Sequence, residues 1–288
     1  MQIASLFHPG RPVLSFEIFP PKGDLSLPRA QEVLQRLSPL SPDFVSVTCS
    51  AGGGGNSERT LDIAAEAQRS FGLTALAHQT CAGFTRDQVA QNIARLRASG
   101  VQNVLALRGD AANAGAPLAY VHASELILTL HDAGLCVGAA CYPEGHIACD
   151  TLTGDLLHMK EKEDAGASFF ISQLFFENDI FFRFLDSARA AGLRAPICAG
   201  VMPILSKSQI SRMIFLCGAS LPAAVVRLLN RYEADEASLR SAGIDMAAEQ
   251  VLGLLSAGVD GVHLYTMNHP DIAERELAYL KGRGYVRA

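Results

Sequence analysis

A carboxylate in the middle of an apolar, β-prone run is the first chemical signal in the chain. Ser15-Phe16-Glu17-Ile18-Phe19 runs directly into Pro20-Pro21 and then Lys22. An acid on a strand that should be buried needs a reason. Desolvation favours the protonated form of a carboxyl group, and Phe16, Ile18 and Phe19 are expected to supply apolar surroundings. Glu17 is therefore read as the proton donor of an active site; the plainer alternative is a carboxylate paired with a basic neighbour. The second signal is Leu107-Arg108-Gly109-Asp110. Gly109 lets the backbone approach a ligand closely, Arg108 suits a phosphate, and Asp110 can accept from a heterocycle rich in N–H donors. A tight turn with an exposed ion pair fits the tetrapeptide equally well. The third is Gln173, ahead of Leu174-Phe175-Phe176. Its amide carries donors and an acceptor, which suits a flat amide-like edge or a capping role.

Other chemistries are disfavoured. His78, His122, His146, His158, His263 and His269 are scattered, with no pair at helical spacing, so no metal site is expected. The seven cysteines are odd in number and include no Cys-x-x-Cys, which points to free thiols in a reducing compartment. The glycine-rich stretch Ala51 to Gly55 has neither the P-loop ending nor dinucleotide-binding spacing. A net charge of -5 with no basic stripe argues against nucleic acid. Met213 to Val226, the longest uncharged apolar-rich run, is broken by Gly218, Ser220 and Pro222, so no membrane span is expected. The N-terminus lacks the basic and apolar regions of a signal peptide, and a cytoplasmic location is expected.

These residues must be positioned by elements whose apolar pattern alternates between short β-branched runs and helical periods. Strands are expected at Val13 to Phe19, Asp43 to Thr48, Leu73 to His78, Asn103 to Leu107, Cys136 to Cys141, Ser168 to Leu174, Pro196 to Val201 and Val262 to Thr266. Helices lie between them. Thr85-Arg86-Asp87-Gln88 is a capping box, Asn178 or Asp179 is expected to cap the sixth helix, and Asp245 to Leu255 forms the helix before the last strand. Pro222 to Asn230 reads as an extra helical piece ahead of it. Such alternation implies parallel strands with crossover helices. An open sheet is the competitor. Polar residues recur at the C-terminal ends of nearly every strand, and a closed (β/α)8 TIM barrel gathers those ends on one rim. The expectation is therefore one barrel domain over residues 1–288, with an extra helical segment before the last strand.

Taken together, the segments resemble the methylenetetrahydrofolate reductase family. The resemblance rests on Ser15-Phe-Glu-Ile-Phe-Pro-Pro-Lys22, Ser46-Val-Thr-Cys49, Ala77-His-Gln-Thr-Cys81, Ala106-Leu-Arg-Gly-Asp110, Tyr142-Pro-Glu-Gly-His146, Lys162-Glu-Asp-Ala-Gly166, Ile171-Ser-Gln-Leu-Phe-Phe176, Gly200-Val-Met-Pro203 and His263-Leu-Tyr-Thr-Met-Asn268. They follow the family order from the first strand to the last. The resemblance implies FAD on the C-terminal rim. Matching positions assign to it Thr48, His78, Leu107, Arg108, Gly109 and Asp110, then His122, Ala123, Ala140 and Tyr142, then His146, Asp155, Lys162 and Ile171. Glu17, Asp110 and Gln173 match substrate positions. Lys207 stands near where the family commonly has a substrate-stacking aromatic, and is assigned to the substrate.

The implied reaction belongs to one-carbon metabolism and methionine synthesis. NAD(P)H reduces the flavin and leaves; 5,10-methylenetetrahydrofolate then takes its place and becomes 5-methyltetrahydrofolate. Glu17 would protonate N10, and Asp110 would bind the pterin and bias the flavin. A homo-oligomer is expected, and a redox partner protein is an optional electron donor. Two other readings stay open: a flavin-free pterin-binding barrel, and a subunit of a larger reductase complex.

Overall fold

A computed structural model describes residues 1–21, 26–49, 57–109 and 119–285. Its strands are β1 Val13–Ile18, β2 Phe44–Val47, β3 Ala75–Thr80, β4 Asn103–Leu107, β5 Cys136–Cys141, β6 Ala167–Ser172, β7 Ile197–Val201 and β8 Gly261–Tyr265. They pair in parallel in sequence order, and β8 closes on β1. The helices are α1 Ser26–Leu37, α2 Ser57–Phe71, α3 Arg86–Ser99, α4 Ala123–Asp132, α5 Leu152–Asp164, α6 Asn178–Ala190, α7 Lys207–Cys217, α8 Ala223–Arg231, α9 Glu236–Ser256 and α10 Pro270–Gly282. The closed barrel and the additional helix α8 are both as expected. Among the described residues no helix is long and apolar enough to cross a membrane.

Successive residues of a strand face opposite sides, so each strand feeds two cores. Phe16, Ile18, Val45 and Val47 face outward into the layer shared with the helices. Val13, Phe44, Leu76, Leu105, Cys136, Phe169 and Cys198 fill the lower barrel, with Ile3 of the N-terminal 3-10 turn Ile3–Leu6 packed among them. That turn is tied to β4: Ile3 N–H donates to Asn103 Oδ1 at 2.8 Å, and Asn103 Nδ2 donates to the Met1 and Ala75 carbonyls. The lower barrel is thus packed and stoppered, which leaves the upper rim for chemistry.

Two glycines make this interior possible. A Cβ at Gly138 would lie 2.4 Å from the Phe169 ring, so β5 gives way to that ring. At Gly200 it would lie 2.2 Å from the Ser172 carbonyl oxygen and 2.8 Å from Tyr265 Oη. The first of these is backbone and cannot swing aside. Gly200→Ala is expected to destabilise the protein by about 3 kcal/mol, seen as a lower denaturant midpoint by circular dichroism. An unchanged midpoint would mean that β7 can shift without cost.

Several boundaries differ from expectation. β3 runs on to Thr80, so His78 sits inside the strand rather than at its end. α9 begins at Glu236, not Asp245, because Asp235 accepts from Ser238 N–H at 3.0 Å and starts an extra two turns. Polar Ser238, Arg240 and Ser241 mask the buried Leu239 and Ile244 in the sequence. α6 has Glu177 at its cap, without a side-chain bond. Asn178 instead donates to the Gln250 carbonyl of α9 at 3.0 Å. Lys22 and the stretch Ala51 to Gly55 lie outside the described residues.

Candidate active site

Glu17 occupies the inner face of β1, and strand pairing decides its neighbours. In register, Glu17 lies beside Ser46 of β2 and Tyr265 of β8, and Ser15 lies beside His263. Glu17 Oε2 is 3.5 Å from His263 Nε2 and 3.8 Å from His78 Nε2. Beyond them, Ser15 Oγ is 2.7 Å from His263 Nδ1, and Ser46 Oγ is 2.5 Å from His78 Nε2. The expected apolar surroundings are not there. Phe16 and Ile18 point to the opposite side of the strand, and Phe19 is partly exposed. Two imidazoles flank the carboxyl group instead.

The imidazoles have distinct electrostatic roles. Burial pushes the His78 pKa down to about 4, against the opposing pull of Glu17. His78 is therefore neutral at physiological pH and does not hold Glu17 as an ion pair. His263 admits two complete hydrogen-bond patterns. With Glu17 ionised, Ser15 O–H donates to Nδ1 and Nε2–H points to the carboxylate. With Glu17 protonated, its O–H points to Nε2, Nδ1–H donates to Ser15 Oγ, and Ser15 O–H turns to the Val262 carbonyl, 3.3 Å away. The two patterns differ only in proton positions, as a group that gives and regains a proton requires.

Above Glu17 opens a cavity of about 410 Å³. It is lined by Glu17, Thr48, His78, Leu107, Arg108, Gly109, Ala140, Tyr142, His146, Ile171 and Gln173 from the sequence-derived set. A second cavity of about 180 Å³ adjoins it and shares Leu107, Arg108, Ala140, Tyr142 and His146. His122, Ala123, Asp155 and Lys162 line this second space. Asp110 lies outside the described residues. Lys207 does not join either cavity: its ammonium sits on Glu233 at 3.0 Å, with both side chains largely exposed.

The second cavity carries the cations. Arg108 is exposed and has no ion-pair partner among the described residues. Lys162 Nζ donates to the Ala140 carbonyl at 3.0 Å, and burial lowers its pKa while Asp155 resists. Asp155 is shifted upward by burial, with Lys162 and the His146 N–H at 3.3 Å opposing. His158 and Glu161 also line the wall and pair with each other at 3.1 Å.

The rim between β8 and β1 is clamped by side chains. Thr266 Oγ1 donates to the Glu17 carbonyl at 2.6 Å. Asn268 accepts from Phe19 N–H at 2.9 Å and donates to the Phe19 carbonyl at 2.8 Å, as an added strand would. Met267 and Asn268 pay for this with φ of 54° and 58°. Sequence reasoning did not place Ser15, Ser46, His263 or Tyr265 beside Glu17. A signal for them exists: Ser15-x-Glu17, Ser46-x-Thr48, His78-x-Thr80 and His263-x-Tyr265 each place two polar residues at period two in an apolar strand.

Comparison with known proteins gives concordant results. A family model described as methylenetetrahydrofolate reductase matches residues 2–278. The chain is 32% identical over 284 residues to methylenetetrahydrofolate reductase (NADH) 1 of Arabidopsis thaliana, covering 93% of this chain and 48% of the relative. It thus spans about half the length of that plant relative. To 5,10-methylenetetrahydrofolate reductase of Escherichia coli strain K12 it is 32% identical over 262 residues, covering 90% of this chain and 88% of the relative. A Clostridium thermocellum protein that binds two copies of 5-methyl-5,6,7,8-tetrahydrofolic acid shares the fold. Its TM-score is 0.68 at 17% identity, over 96% of this chain and 95% of the other.

Proposed function

The chain belongs to the methylenetetrahydrofolate reductase family, and on that premise we propose that it reduces 5,10-methylenetetrahydrofolate to 5-methyltetrahydrofolate, with FAD as cofactor and NAD(P)H as electron donor. The two ligands would take turns in the larger cavity. One observation supports this reading: a carboxyl group whose imidazole and hydroxyl neighbours can hydrogen-bond to either of its protonation states forms part of the wall of a cavity with a cationic annex.

The residues fit FAD. A flat ring system with a diphosphate tail needs a broad space continuous with a cation-bearing one, and the two cavities meet at Arg108 and Tyr142. Gly109, at φ 78°, allows close backbone approach there. Arg108 and Lys162 would hold the phosphates, with Asp155 keeping Lys162 charged. When bound, FAD supplies the hydride-carrying centre between the nicotinamide donor and the folate one-carbon unit.

The remaining work falls to the protein. Glu17 would protonate N10 and so open the five-membered ring to a reactive iminium. His263 and Ser15 would then rearrange their hydrogen bonds around the ionised carboxylate. Gln173 Oε1 already accepts from Leu174 N–H at 2.8 Å, which leaves its amide N–H groups for the pterin edge. Asp110 is assigned to the pterin ring from the sequence.

The purified protein is expected to bind FAD, with quenching of flavin fluorescence, and to oxidise NAD(P)H only when methylenetetrahydrofolate is added. A preparation that stays colourless after incubation with excess FAD would overturn this function.

A further inference from the structure

Two consecutive residues at the end of β8 hold backbone on two sides of the larger cavity. Thr266 binds the Glu17 carbonyl of β1. Tyr265 reaches the other way. Its Oη–H donates to the Ser172 carbonyl of β6 at 2.8 Å, past β7, which lies between the two strands. Gly200 clears the path, since a Cβ there would lie 2.8 Å from Oη and 2.9 Å from Cε2 of Tyr265. The ring lines the cavity and meets His263 edge-on, with centroids 5.4 Å apart. Burial raises the Tyr265 pKa well above its ordinary value, so the hydroxyl keeps its proton and stays a donor.

The Ser172 carbonyl belongs to the peptide unit that leads into Gln173. Pairing of β6 with β7 covers Phe170 and Ile171 and stops short of it. The other edge of that unit, Gln173 N–H, donates to the Cys141 carbonyl of β5 at 2.8 Å. Tyr265 and β5 therefore grip one peptide plane from both edges. Ser172 Oγ adds a third hold, donating to the Gln173 carbonyl at 2.9 Å and accepting from Gly200 N–H at 2.9 Å. A fixed plane fixes the direction in which the Gln173 side chain leaves the backbone. Without the Tyr265 O–H, the carbonyl of fully buried Ser172 would lose this partner, which is unfavourable, and the plane would be free to tilt. We infer that Tyr265 is a positioning residue for the substrate: it acts through Gln173, holding the amide that meets the pterin edge in a set place relative to Glu17. The inference rests on the proposed function.

The test is a double-mutant cycle on ligand affinity. The probe is tetrahydrofolate, which carries the pterin but no one-carbon group to oxidise, titrated into the FAD-loaded protein and followed by flavin absorbance. Tyr265→Phe keeps the ring and removes the donor, and is expected to weaken binding by about tenfold. In a Gln173→Ala background the same change should weaken it by less than about twofold, because the group it positions is gone. FAD affinity, read by fluorescence quenching, should stay the same in all four proteins, with Tm as the check on folding. p-Aminophenylalanine at position 265 restores an N–H donor and should return the affinity to within about twofold of wild type. Unaltered affinity in Tyr265→Phe, tenfold weakening in both backgrounds, or no recovery with p-aminophenylalanine overturns the positioning role while the function stands. A wild-type protein that turns over no methylenetetrahydrofolate overturns the function and the positioning role with it.

Discussion

Glu17→Gln protein is expected to take electrons from NAD(P)H at close to the wild-type rate and to pass them to methylenetetrahydrofolate about 10²–10⁴-fold more slowly, the usual worth of a general acid. The amide matches the carboxyl group in size and can still hydrogen-bond to His263, so the cavity wall and flavin binding should persist. What it lacks is a proton to give. Electron transfer from the nicotinamide needs no proton from this position, whereas opening the folate ring does. Stopped-flow measurement of each half-reaction separates the two. A folate half-reaction at the wild-type rate would show that the proton comes from elsewhere, and equal slowing of both steps would point to a distorted cavity.

The second large effect is on stability and lies away from the site. Glu276, on α10, is fully buried, and neither carboxylate oxygen has a hydrogen-bond partner among the described residues. Burial alone raises its pKa from 4.5 to about 8. The sign follows from linkage. Below about pH 4.5 the group is protonated in both folded and unfolded chains and costs nothing through ionisation. Between there and about pH 8 the unfolded chain gives up its proton while the folded chain keeps it, so stability falls as pH rises. Above that range the folded protein must bury a charge, and the full cost is on the order of 5 kcal/mol. Glu276→Gln removes the titration and keeps the shape. The variant should match the wild type in Tm near pH 4.5 and exceed it increasingly toward pH 8.5. Parallel Tm curves across that range would show that the carboxyl group is not isolated in the fold.

Much of the barrel was legible from local pattern. Thr85 and Gln88 form the expected capping box and Gly100 closes that helix at φ 76°. Runs such as Cys136–Cys141 and Asn103–Leu107 match their strands at both ends. Helix α9 was read short because its first turns carry charged and hydroxyl side chains whose burial pattern depends on β7, β8 and α8. Lys207 was assigned to the substrate from the resemblance alone, and its partner Glu233 is distant in sequence. The burial of Glu276 was not legible in the sequence, since it comes from the packing of α10 against other elements such as α9 and α1.

The same division holds for Glu17. Its residue type, its strand and its place near the C-terminal rim follow from the sequence, because strand propensity and the Pro-Pro stop are local properties. Its surroundings do not. Side chains alternate in direction, so the adjacent Phe16 and Ile18 face away from it. The groups that meet it come from β3 and β8, and β8 lies beside β1 only because the barrel closes. The sequence marked out the residue proposed to carry the proton; the tertiary fold decided that two imidazoles and two serine hydroxyls stand around it.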